Sequence, residues 1–343
     1  MAKEGAMDLV TGIGGSLDRK EVLNSAQEYE KYHTYHGGDV AARKMNYTDM
    51  VNKYYDLVNS FYEYGWGQSY HFANRWKGES LRESIKRHEH FLALRLGLKP
   101  GMKVLDVGCG IGGPLREIAI FSGAFITGLN NNANQIARGT VLNKLAGLVS
   151  TCDFIKADFM KMPVPDNSYD AVYTIEASCH APDPVACYTE IKRVLKPGQL
   201  FAGYEWCMTE SYNPKDEAHQ KCKAEIELGN GLPDIRTTAE CLNALKAAGF
   251  EVLMEEDLAA TSPVPWYQPL DPTHISLSTF RLTPVGRFIT RNMVSLLETL
   301  KIAPEGSARV STFLEKALEG LVDGGRKEIF TPMYFFLVRK PLE

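Results

Sequence analysis

Lys103-Val104-Leu105-Asp106-Val107-Gly108-Cys109-Gly110-Ile111-Gly112-Gly113-Pro114 reads as a buried strand that runs into a glycine-rich turn and then a helix. Val104, Leu105 and Val107 supply the strand character, and the segment from Pro114 to Phe121 carries apolar residues at helical spacing. Pro114 suits the first helical turn, where its missing N–H is no loss. Strand, tight turn and helix open a βα unit. The glycines at 108, 110, 112 and 113 keep side chains away from the turn, and the helix start turns N–H groups and positive dipole toward it.

Such a turn accommodates a polar, nucleoside-like ligand. Glycine spacing alone also marks dinucleotide binding. Asp106 just ahead of the first glycine, in a D-x-G-x-G-x-G arrangement that begins at residue 106 rather than at the chain start, favours S-adenosylmethionine (SAM) over NAD. The second strand, 123–129, ends at Asn130, in the slot where dinucleotide sites carry an acid for the ribose hydroxyls. An amide keeps an acceptor and two donors, so a ribose contact survives while NAD loses support. After a third strand, 152–156, Asp158 is placed to accept an adenine amino group with Phe159 beside the ring, or simply to cap a turn. The expected cofactor residues are therefore Asp106, Gly108, Cys109, Gly110, Gly112, Gly113, Asn130, Asp158 and Phe159.

A fourth strand, 168–175, leads into Glu176-Ala-Ser-Cys-His180, at the sheet end where open α/β folds hold ligands. Glu176 and His180 thus stand where a catalytic acid–base pair would stand. Asp183-Pro184 starts a helix, 200–206 is a fifth strand, Thr237 to Glu240 forms a capping box and 251–254 a sixth strand. Strand character then disappears until 332–339. Helical spacing over 285–300 and 310–321 makes 257–330 a helical cap inserted before the last strand. The expected divisions are an arm and aromatic segment at 1–75, a SAM-binding α/β core at 76–256, the cap at 257–330 and the final core strand at 331–343.

Ahead of the core, residues 1–40 are polar, with a mobile first part and a surface pair, His33 and His36. Residues 54–76 are dense in aromatic rings. A core stripe explains Tyr54, Tyr55, Val58, Phe61 and Tyr62 on a helix. It does not explain Gly65-Trp66-Gly67, which is expected as a loop; 62–76 reads better as an aromatic ligand pocket with one acid, Glu63. The helix around His88-Glu89-His90 is expected on the outer face, without metal-ligand spacing.

The 343 residues, 44% hydrophobic and 23% charged, describe an ordinary globular protein, and a net charge of -4 offers no global attraction to nucleic acid. Seven cysteines without a C-x-x-C pair suggest neither a disulfide framework nor a thiolate metal site, and a reducing compartment follows. No apolar run spans a bilayer and no signal peptide is seen, so the chain is expected to face the cytosol with any membrane contact peripheral.

Tyr62-Glu-Tyr-Gly-Trp-Gly67, Leu105-Asp-Val-Gly-Cys-Gly-Ile-Gly-Gly113, Glu176-Ala-Ser-Cys-His-Ala-Pro-Asp183 and Tyr204-Glu-Trp206 resemble, in order, the motifs of the sterol C-24 methyltransferases. The resemblance spans nearly the whole chain from about residue 30, and Asn46-Tyr47-Thr48-Asp49 and Phe330-Thr-Pro-Met333 are nearest the plant and algal branch. It implies an α/β class I SAM-dependent methyltransferase (Rossmann-like) fold with a seven-stranded sheet, an N-terminal helical arm and a helical insertion before the last strand. It also implies SAM as donor and a sterol with a C24–C25 double bond, cycloartenol in that branch, as acceptor, met at the endoplasmic reticulum or another intracellular membrane. The alkene attacks the methyl, leaving a C25 cation. Tyr62, Tyr64, Trp66, Phe72 and Trp76 are the expected cation-facing rings, and Glu63, Glu176 or His180 the final base. Methylation of another lipid, or a non-catalytic sterol-binding module, are the alternatives; homo-oligomer formation is left open.

Overall fold

The computed structural model describes residues 17, 20–33, 38–273 and 284–342; His36 lies outside them, as do the side chains of Phe61 and Tyr64. The chain divides into two compact units. One comprises Met1–Gly65, Tyr212–Asp234 and Tyr267–Ile329, the other Trp66–Ser211, Ile235–Trp266 and Phe330–Glu343. Residues 66–75 therefore go with the α/β unit rather than with the arm, and 212–234 cluster with the arm and insertion.

The helical unit contains α1 (Val22–Lys31), α2 (Val40–Met45) and α3 (Tyr47–Trp66). Val22, Ala26 and Tyr29 of α1 pack with Met50, Val51, Tyr54, Leu57 and Val58 of α3. α3 runs through Gly65 and Trp66, so the expected loop there is the last helical turn and the chain first breaks at Gly67, with φ +84°. His33 is also corrected. It is 6% exposed, not a surface group, and burial pushes its pKa down to about 3, with Arg43 nearby acting in the same direction.

The α/β unit contains α4 (Leu81–Arg95), β1 (Lys103–Val107), α5 (Gly113–Ser122), β2 (Phe125–Asn130), α6 (Ala133–Leu145), β3 (Cys152–Lys156), β4 (Tyr169–Ile175), α7 (Pro184–Val194) and β5 (Leu195–Met208). The chain then gives α8 (Glu217–Asn230) to the helical unit and returns with β6 (Arg236–Thr237), α9 (Thr238–Ala247) and β7 (Glu251–Asp257). α10 (Pro284–Thr299) and α11 (Ser307–Arg326) complete the helical unit, and β8 (Phe330–Arg339) completes the sheet. Strand order is β3-β2-β1-β4-β5-β8-β7, the seven strands expected, and the two-residue β6 adds a short pairing on β5.

β1 to β5 pair in parallel while β8 runs antiparallel between β5 and β7. Their near-continuous apolar runs fit a sheet covered on both faces. Local signals agree with the sequence: Thr237 and Glu240 form a capping box, Asp183 accepts from the N–H groups of Val185 and Ala186, and Pro114 sits in the first turn of α5. α4 departs from its reading as an outer-face helix, because it carries His88 and Glu89 into the interior.

Candidate active site

The α/β unit carries three buried carboxyl groups near the carboxyl ends of its parallel strands. Asp106 lies on β1, Glu205 on β5, and Glu176 immediately after β4 with a left-handed backbone, φ +52°. That conformation is uncommon for a residue with a side chain and turns the carboxyl group away from the strand.

Both Glu176 oxygens are engaged. Oε1 accepts the Phe72 backbone N–H and Oε2 accepts the Trp206 indole N–H, each at 2.7 Å. The two donors belong to rings of one cluster. Phe72 packs 6.0 Å from Trp66, 6.0 Å from Trp206 and 5.0 Å from Trp266, while Phe330 lies 5.3 Å from Trp206 and 5.8 Å from Trp266. Burial among these rings raises the Glu176 pKa to about 7, against the lowering pull of the His71 charge and of both hydrogen bonds.

Behind Phe72, His71 places Nδ1 2.6 Å from the Phe72 carbonyl and Nε2 3.1 Å from Glu89 Oε1. Two acceptors face two ring nitrogens, so the arrangement suits the doubly protonated ring. Burial works against that charge, but the Glu89 bond and the Glu89 and Glu176 charges prevail and raise the pKa. Ser69 also donates to Glu89, at 2.7 Å. On β5, Glu205 accepts from the Ser178 hydroxyl, the Tyr188 hydroxyl and the Trp206 backbone N–H, and burial raises its pKa. His180 is buried in the single turn Ser178–His180 that carries this serine.

The glycine turn divides its labour. A Cβ at Gly108 would lie 2.3 Å from that of Ala177, one at Gly112 2.9 Å from the Phe154 ring, and one at Gly113 2.0 Å from the Gln68 carbonyl oxygen. These three glycines serve close packing, which corrects the reading of all four as ligand clearance. Gly110 differs: at φ +53° its nearest neighbour would be the Tyr70 ring at 3.9 Å, leaving the backbone open to a ligand. Arg116 fastens this region by donating to the Ile111 carbonyl, Asn143 and Gln68.

Asp106 accepts from the Tyr173 hydroxyl at 3.0 Å, and burial lifts its pKa to about 7 despite that bond. Asn130 donates to the Gly110 carbonyl at 3.1 Å and to Gln135 at 2.7 Å, so it ties the turn to α6. Asp158 Oδ1 accepts the Met160 N–H, the turn cap considered above, and Phe159 packs against the sheet core. Cys109 is buried in the turn, its thiol pKa raised by burial. The open Gly110 backbone, flanked by polar groups at the ends of β1, β2 and β3, fits SAM.

The remaining expected residues separate. Tyr62 and Glu63 belong to the helical unit, where the Tyr62 hydroxyl meets those of Tyr54 at 2.8 Å and Asn230 Oδ1 at 3.2 Å. Trp76 is 54% exposed and lies beneath the Arg87 guanidinium, 4.0 Å from its ring centroid, which corrects its reading as a pocket ring. Trp206, Trp266, Phe330, His71 and Glu89 received no role from the sequence. Trp206 and Phe330 stand within the motifs quoted above and His71 within the aromatic range 62–76; Trp266 follows Pro263-Val-Pro265 with no local signal.

Comparison with known proteins identifies the family. The methyltransferase domain matches residues 105–203 and the sterol methyltransferase C-terminal domain matches 277–342. Cycloartenol-C-24-methyltransferase 1 of Oryza sativa subsp. japonica is 70% identical over 342 residues, covering 100% of this chain and 99% of its own. The cycloartenol-C-24-methyltransferase of Arabidopsis thaliana is also 70% identical, over 98% of this chain and 100% of its own. The chain belongs to the sterol methyltransferase family. This sterol methyltransferase is a SAM-dependent enzyme. Its fold is shared with the geranyl diphosphate C-methyltransferase of Streptomyces coelicolor A3(2), solved with S-adenosyl-L-homocysteine, at TM-score 0.60, 15% identity and coverage of 86% and 97% of the two chains.

Proposed function

We propose that this enzyme transfers a methyl group from SAM to C24 of a sterol bearing a C24–C25 double bond, cycloartenol being the substrate supported by the two plant relatives. The observation that carries the mechanism is the Glu176 carboxyl group held by the Phe72 N–H and the Trp206 indole, two members of a ring cluster that also contains Trp66, Trp266 and Phe330.

Bound SAM supplies an electrophilic methyl group on a positively charged sulfur. The turn at Gly110 holds the nucleoside side, with Asn130, Asp158 and Phe159 at the ends of β2 and β3 and Asp106 at β1. The sterol alkene would give its π electrons to the methyl carbon as the sulfur–methyl bond breaks with its electron pair left on sulfur, so that the positive charge passes to C25; no prior deprotonation is needed. The ring cluster stabilises that desolvated cation by roughly 2 kcal/mol or more per well-placed face. The Glu176 charge, fixed by two donors before the reaction, adds electrostatic stabilisation without reorganisation. A cation arriving beside Glu176 also draws its raised pKa down and favours the ionised form. A hydride moves from C24 to C25 and a proton then leaves the product; Glu176, with a pKa of about 7, is the base suited to accept it. Tyr62, Glu63 and His180 are proposed to shape the sterol side of the reaction.

The enzyme works at the surface of an intracellular membrane, facing the cytosol. Among the described residues no helix is long and apolar enough to cross a membrane. The deciding experiment is incubation with labelled SAM and cycloartenol, with mass analysis of the sterol product. A methylated side chain supports the proposal. Sterol binding without transfer would favour the binding-module reading, and transfer only to other lipids would favour the alternative methyltransferase.

A further inference from the structure

α10 has its polarity inside out. Arg287 and Arg291 turn toward α11, where they pair with Glu319 and Glu315. Glu298, the only acid on the helix, accepts the N–H groups of Gly306 and Ala308, both at 2.9 Å. The opposite side is apolar. Phe288, Ile289, Met293 and Leu296, with Leu300 and Ile302 just past the helix end, all stand in solvent; Phe288 is 69% exposed and Leu300 58%. At 3.6 residues per turn the first five fall on one stripe, joined only by the uncharged Asn292 and Thr299. Five large apolar side chains in one exposed stripe, with Ile302 just beyond its end, are not the scattered surface residues of an ordinary monomer.

We infer that this stripe lies in the surface of a lipid bilayer, with α10 parallel to the membrane plane. Three observations select lipid as the occupant. The stripe bears no charge, and its two polar side chains are satisfied within the helix: Asn292 donates to the Phe288 carbonyl at 2.7 Å and Thr299 to the Ser295 carbonyl at 2.8 Å. Arg291 stays 57% exposed although it pairs with Glu315, and the exposed Lys301 follows the end of the stripe, so positive charge borders it as phospholipid headgroups require, whereas the helix acid is turned inward to cap α11. The stripe also falls within 277–342, the part of the chain matching the sterol methyltransferase C-terminal domain and not the general methyltransferase domain at 105–203. This assignment rests on the sterol-methylating reading, since a sterol is dissolved in membrane and scarcely in water.

The test uses the full chain. Wild type and Phe288→Ser/Leu296→Ser are sedimented with phosphatidylcholine vesicles, with and without phosphatidylserine. Losing two apolar side chains from the lipid contact should weaken vesicle binding at least about tenfold. Turnover of cycloartenol carried in vesicles should fall with it, while turnover of detergent-dispersed cycloartenol stays within about twofold. All seven native cysteines are buried, so Phe288→Cys labelled with an environment-sensitive dye reports insertion separately; its emission should shift to the blue on vesicles. Unchanged vesicle binding in the double variant, or a dye that stays in water, would overturn the inference. A wild-type dimer that the double substitution dissociates, with vesicle binding intact, would assign the stripe to a second copy and also overturn it. Failure of both proteins to methylate even detergent-dispersed sterol would instead remove the catalytic reading, and the vesicle and dye results would still decide the lipid contact.

Discussion

The indole N–H of Trp206 donates to Glu176 Oε2 at 2.7 Å, joining the end of β5 to the residue after β4. The bond favours the ionised carboxylate, so removing it raises the Glu176 pKa further above 7. If Glu176 acts ionised, turnover increases as pH rises through about 7, and Trp206→Phe moves that limb to higher pH while keeping an aromatic face. A pH profile of kcat for both proteins checks this; an unmoved limb would remove Glu176 as the titrating base.

Glu176→Gln keeps the shape and loses the charge. Its turnover should fall about 100- to 1000-fold, the usual effect of deleting one preorganised electrostatic group, with SAM affinity by calorimetry nearly unchanged. Glu63→Gln, compared in parallel, should also retain SAM binding; unaltered turnover there would exclude Glu63 from the chemistry.

Trp266→Ala and Trp76→Ala separate a ring of the cluster that supplies the Glu176 donors from a ring outside it. Trp266 touches Phe72 and Phe330, whereas Trp76 is covered by Arg87 at the surface. Trp266→Ala should lower turnover by tenfold or more, equivalent to about 1.4 kcal/mol of barrier, and Trp76→Ala should leave it within about twofold. Equal losses in steady-state assays would contradict the ring assignment.

Gly110→Ala and Gly113→Ala distinguish a ligand-facing glycine from a packing glycine. The Gly110 substitution adds a methyl into open space and a left-handed backbone cost of about 1–2 kcal/mol, so its main effect should be on SAM affinity. The Gly113 methyl would strike the Gln68 carbonyl, so its main effect should be a lower melting temperature. Reversed effects in calorimetry and thermal melts would refute the division.

Asp106 penalises folding at alkaline pH. Its pKa is about 7 folded against the ordinary 3.8, so the folded chain binds the proton more tightly than the unfolded chain. The neutral group's contribution is fully present below about pH 4 and is lost as pH rises through 7, to the extent of roughly 4 kcal/mol. Asp106→Asn should therefore melt higher than wild type at pH 8, the difference shrinking toward pH 5, while binding SAM more weakly.

Much of the α/β order was legible because its strands are apolar runs closed by glycine or proline, and its helices begin at Asp183 and Thr237 with side-chain caps. The carboxyl-end position of Glu176 followed from the same pattern. Trp66 was misread because two glycines suggest a loop, yet α3 continues through Gly65 to Trp66 and only Gly67 breaks it. Trp266 and Phe330 were invisible as site residues for a different reason. They enter the ring cluster from segments far apart in sequence, and no periodicity records which distant rings a fold will gather around one carboxyl group. The same holds for His71 and Glu89, whose pairing depends on α4 turning Glu89 inward.

β8 is the last regular element of the chain and supplies the hydrogen-bonding partner of both β5 and β7. During synthesis those two strands must wait with unpaired edges until β8 has left the ribosome. A stop codon that removes β8 thus leaves β5 with an open edge and β7 with no ladder at all rather than a shortened tail, and the nascent polypeptide depends on protection from aggregation until that strand arrives.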